Sequence, residues 1–96
     1  MTVKEIAQAC LDERQSQMEE LQKQAEKLNS EYEKLDFEEN MYYHLKEHSS
    51  RYTDVYTQKQ EEYTKKLGEL EKKKTEIQDK TKIIQREIDY IDEYLK

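Results

Sequence analysis

His48-Ser49-Ser50-Arg51 lies at the midpoint of a 96-residue chain and is its poorest helix-forming stretch. Serine competes with a helix by bonding its own backbone, and it can cap a new one. Two folds follow from these four residues. Either one helix runs through them, or the chain turns here and its two halves fold together.

The flanking sequence is helical in pattern. With position a set at Leu11 and repeated every seven residues, the d positions read Leu21, Leu28, Leu35, Tyr42, Ser49, Tyr56, Tyr63, Leu70, Ile77, Ile84 and Ile91. All but Ser49 are apolar or aromatic, in a chain where only 33% of residues are hydrophobic. A 3.5-residue apolar repeat keeps one seam turned toward a partner helix as helices supercoil. The a positions are mixed: Leu11, Met18, Ala25, Tyr32, Glu39, Lys46, Thr53, Gln60, Leu67, Lys74, Thr81, Ile88 and Leu95. From Glu39 to Gln60 every a position is polar, while Met41, Tyr43, Leu45, Tyr52 and Val55 fall outside both a and d. Residues 39–60 are therefore expected to face further helices, shift register, or turn, within a single coiled-coil region spanning 1–96.

Composition excludes several classes. Charged residues make up 42% of the chain, with one Gly, no Pro and no Trp. No apolar run approaches the roughly 20 residues that cross a bilayer, so membrane insertion is not expected. Hairpin and loop signals are too few for an α/β or all-β enzyme, and a catalytic pocket needs more apolar wall than this. Disorder, the other reading of high charge with low hydropathy, conflicts with the periodicity and with the abundance of Glu, Lys, Gln and Leu, all good helix formers. The net charge of -6 disfavours nucleic acid, whose phosphates attract cations. The fold class expected is all-α.

Charge bears on the choice between one helix and two. Residues 16–33 carry net -3 and residues 65–82 carry net +3, so folding about residue 49 sets opposite charges against each other. The unbroken heptad register across residue 49 argues the other way. The sequence reading leans to one continuous helix, on the order of 140 Å long at 1.5 Å per residue, assembling with partner helices. An antiparallel helical hairpin turning near Ser49-Ser50 is the alternative.

Local features are few. Thr2 with Glu5 three residues on makes a capping box that starts a helix. Gly68, between Leu67 and Leu70, reads as a tolerated defect in preference to a close approach by a partner. His44 and His48 are four apart on one helix face, but without the His-Glu-x-x-His order of a zinc site they read as two exposed histidines. Cys10, beside Ile6 and Leu11, reads as a small buried hydrophobe. A single Cys and the absence of a secretory pattern at Met1-Thr-Val-Lys-Glu5 predict a cytoplasmic or nuclear location. Eight tyrosines, several at a or d, predict an irregular seam, since a buried hydroxyl needs a partner. Nothing predicts a catalytic residue, a metal ligand or a cofactor.

An amphipathic helix gains most of its stability from covering its apolar face. The expected act is therefore helix–helix association, carried by Leu21, Leu28, Leu35, Leu67, Leu70, Ile77, Ile84, Ile88 and Ile91. Polar a positions Lys46, Thr53, Lys74 and Thr81 would set register at a cost in stability. So many imperfect a positions predict a hetero-oligomer with other coiled-coil proteins, with a homo-oligomer as the alternative. The run Gln85-Arg-Glu-Ile88-Asp-Tyr90-Ile91 resembles the Gln-x-x-hydrophobic-Asp-aromatic-hydrophobic pattern in the C-terminal coiled coil of the central-channel nucleoporins. Residues 75–93 are also similar to the amino-terminal coiled coil of the third subunit of the Golgi tethering complex. Either resemblance implies a structural subunit of a large eukaryotic assembly. The function expected is a non-enzymatic coiled-coil subunit; the alternatives are an adaptor or chaperone-like hairpin that binds a client helix, and a segment that folds on binding.

Overall fold

In the computed structural model, residues 1–49 and 51–96 are described, Thr53 only by its place in a helix. Among them the chain is all-α: α1 spans Val3–His48 and α2 spans Thr53–Leu95, with no strand. The single continuous helix is not what forms. Ser49 belongs to neither helix, and Arg51 and Tyr52 make a turn into α2; Ser50 lies outside the described residues.

The reason is visible in the magnitudes. Among the described residues eight apolar or aromatic side chains are buried within the chain, and each contributes about 1.5–3 kcal/mol when fully removed from water. Breaking a helix for a few residues forfeits hydrogen bonds worth about 1 kcal/mol net apiece. Covering the seam outweighs the break. Register continuity was a poor guide because each arm of an antiparallel pair needs a repeat only along its own length. Opposite charge on the two halves was the better one.

Both helix starts follow from local chemistry. The Glu5 amide donates to Thr2 Oγ1 at 3.2 Å, and the Thr2 hydroxyl donates to Glu5 Oε1 at 3.2 Å. The Ile6 amide then donates to the Thr2 carbonyl, the first helical bond. At α2 the Tyr56 amide donates to the Tyr52 carbonyl at 3.1 Å, and Asp54 in the first turn complements the positive end of the helix dipole. Lys46 and His48 occupy the last turn of α1, where cations are favoured.

Contacts divide the chain into two compact units, one of residues 1–26 with 75–96 and one of residues 27–74. In the first, Arg14 pairs with Glu87, while Val3 and Ala7 share a groove with Tyr90, Ile91 and Tyr94; the two segments are antiparallel. Its buried residues are Leu11, Leu21 and Ile88. In the second, Leu35 lies by Leu70, Tyr43 bonds Gln60 and Tyr42 packs on Tyr56, again antiparallel. Its buried residues are Leu28, Leu35, Tyr56, Tyr63 and Leu70.

Candidate functional site

The nine residues nominated for helix association are not equally placed. Leu21, Leu28, Leu35, Leu70 and Ile88 are buried inside the chain, and Ile77, Ile84 and Ile91 are half-buried. Leu67 is 40% exposed. Apart from Leu67, the seam these residues form is buried or half-buried within the chain itself. Of the polar a positions, Lys46 and Lys74 are exposed. Half-buried Thr81 donates its hydroxyl to the Ile77 carbonyl at 2.8 Å, which satisfies it within its own helix. The side chain of Thr53 lies outside the described residues.

Tyr42, Tyr43, Tyr56 and Tyr63, in the unit of residues 27–74, form a packed box. Tyr42 meets Tyr56 edge-on at 5.8 Å between ring centroids and Tyr63 at 5.5 Å, the geometry that sets ring edge against ring face. Gln60 Nε2 donates to the Tyr43 hydroxyl at 2.9 Å. The void among these rings holds about 10 Å³, the volume of a single water at most, so the box is packing and not a ligand pocket. Tyr63 is 3% exposed, and among the described residues its hydroxyl closes no hydrogen bond. Burial pushes its phenol pKa well up, and the nearby Glu38 carboxylate pushes it further. The Tyr32 phenol is raised too, by burial and then by Glu71.

One seam residue was missed in the sequence. Arg14 falls at a d position, half-buried, and its Nε donates to Glu87 Oε2 while Nη1 donates to Gln17 Oε1 at 3.2 Å. Carrying the seven-residue repeat back from Leu21 reaches it. A guanidinium at such a site sends its stem along the apolar seam and its head to solvent.

The apolar side chains left over lie off the seam. On α1, Phe37 is 73% exposed, and Met41 and Leu45 follow at four-residue steps, both exposed. His44 and His48 lie on the same side of the helix, with ring centroids 4.6 Å apart. This stripe turns away from Leu28, Leu35 and Tyr42. On α2, Ile83, Tyr90 and Tyr94 are exposed at helical spacing. Tyr90 and Tyr94 line a groove of about 430 Å³ with Val3, Ala7, Ile91 and Glu93.

Other chemistry is sparse. Cys10 is a free, half-buried thiol. Among the described residues no group of three or more His, Cys, Asp or Glu is placed to hold a metal ion, and no helix is long and apolar enough to cross a membrane. The chain matches no known family model, no curated protein and no solved structure.

Proposed function

We propose that this chain is a non-enzymatic helical assembly subunit that binds partner helices on its outer faces within a multiprotein complex. The observation that supports this is the apolar surface beyond the seam: Phe37, Met41 and Leu45 on α1, and Ile83, Tyr90 and Tyr94 on α2, are all exposed although the seam itself is covered. Single exposed apolar residues are ordinary, but runs of them at helical spacing are what helix-in-groove recognition uses. Coiled-coil proteins are the partners this favours, in a hetero-oligomer and in the cytoplasm or nucleus. The resemblance of Gln85–Ile91 to the nucleoporin coiled coil, and of residues 75–93 to the Golgi-tether one, is compatible with a place in a large assembly.

The covered seam favours the adaptor reading as the second one. A hairpin that folds without a partner can capture a client helix reversibly. Affinity capture with the full chain and with Phe37→Ser/Met41→Ser and Ile83→Ser/Tyr90→Ser variants tests the proposal. The expected result is a helical partner retained by the parent and lost by at least one variant of unchanged helicity. Identical captured sets for all three would contradict it.

A further inference from the structure

We infer that the groove of the unit formed by residues 1–26 and 75–96 takes a basic amphipathic helix, one with an apolar stripe flanked by Lys or Arg. The inference rests on the assembly reading above and names its partner's chemistry. The groove presents Val3, Ala7, Tyr90, Ile91 and Tyr94, with Tyr90 80% and Val3 66% exposed. Ile83, 57% exposed, stands two turns before Tyr90 on the same side of α2.

Charge selects the occupant. This unit carries seven basic and twelve acidic side chains, net -5 of the chain's -6. Glu93, three residues after Tyr90 and next to it on the helix surface, lines the groove; Glu87, three before it, is already paired with Arg14, and Arg86 is the basic neighbour on that face. Apolar contact supplies the affinity, while complementary potential supplies specificity and on-rate. A second copy of this chain would bring another -5 unit against the first, and an anionic membrane would be repelled in the same way. The unit that holds the Phe37–Met41–Leu45 stripe is nearly balanced as a whole, with ten basic and eleven acidic side chains in residues 27–74.

The test uses the full chain and a fluorescein-labelled peptide of about 21 residues, three heptads, with Leu at a and d and Lys at e and g. A Glu-flanked peptide with the same Leu positions is the comparison, and anisotropy is the readout. The Lys-flanked peptide should bind, and Ile83→Ser/Tyr90→Ser should weaken it by about tenfold or more, as loss of buried apolar contact requires. Phe37→Ser/Met41→Ser should leave its affinity unchanged, and the Glu-flanked peptide should not bind. Equal binding of the Lys-flanked peptide to parent and Ile83→Ser/Tyr90→Ser would reduce the effect to bulk charge and overturn the inference. So would binding lost only in Phe37→Ser/Met41→Ser, which leaves the assembly reading standing, or sedimentation showing a self-dimer that Ile83→Ser/Tyr90→Ser abolishes. No binding of either peptide overturns it as well.

Discussion

Gly68 and Tyr63 show how single residues set this chain's stability. A Cβ added at Gly68 would meet nothing within 4 Å, so the glycine is a helix defect with no packing role, as its position between Leu67 and Leu70 suggested. Gly68→Ala should raise stability by up to about 1 kcal/mol, read as a higher melting temperature; a lower one would mean that the site is crowded. Tyr63 buries a hydroxyl that closes no hydrogen bond among the described residues. Tyr63→Phe keeps the ring contacts and removes that group, so it should be neutral or stabilising near pH 7. Because the folded phenol titrates above its ordinary 10.0, the unfolded chain loses this proton first on raising pH. Stability from Tyr63 is therefore complete below about pH 10 and falls above it. Tyr32 and Lys59, also raised, act in the same direction and remain in Tyr63→Phe. The variant should lose less stability than the parent between about pH 10 and 11; parallel denaturation curves across that range would count against the raised phenol.

At the scale of a helix, the heptad repeat was legible but for Arg14, and its consequences only in part. Leu21, Leu28, Leu35 and Leu70 are buried where a d position puts them. Leu67 occupies an a position of the same series yet is 40% exposed, because burial depends on which side of the repeat the second helix covers, and periodicity does not carry that. Leu70→Ala should cost about 2–4 kcal/mol, whereas Leu67→Ala should cost about 1 kcal/mol or less. Chemical denaturation of the two variants compares them directly, and equal losses would contradict the packing described. The Arg14–Glu87 pair joins α1 to α2 with both side chains partly exposed. Arg14→Met should change stability by about 1 kcal/mol or less, with the difference shrinking at high salt.

For the molecule as a whole, the sequence made the class plain and left the connection open. Low hydropathy and periodic apolar residues allowed either one long helix or two shorter ones. The decision lay in His48-Ser49-Ser50-Arg51, whose weak helix propensity was outweighed in the sequence reading by a register that continued past it. The opposite net charges of 16–33 and 65–82 pointed the right way. The exposed stripes could be seen only as residues out of register, such as Met41, Leu45 and Val55; which of them stay uncovered depends on the antiparallel pairing. A chain that covers its own seam should show helicity independent of concentration. The most direct measurement is crosslinking of Cys10 to a cysteine at Leu95→Cys, both in the unit of residues 1–26 and 75–96, with a short bis-maleimide in dilute solution. An intrachain product of monomer mass is the predicted result, and a product that is only interchain would contradict the account.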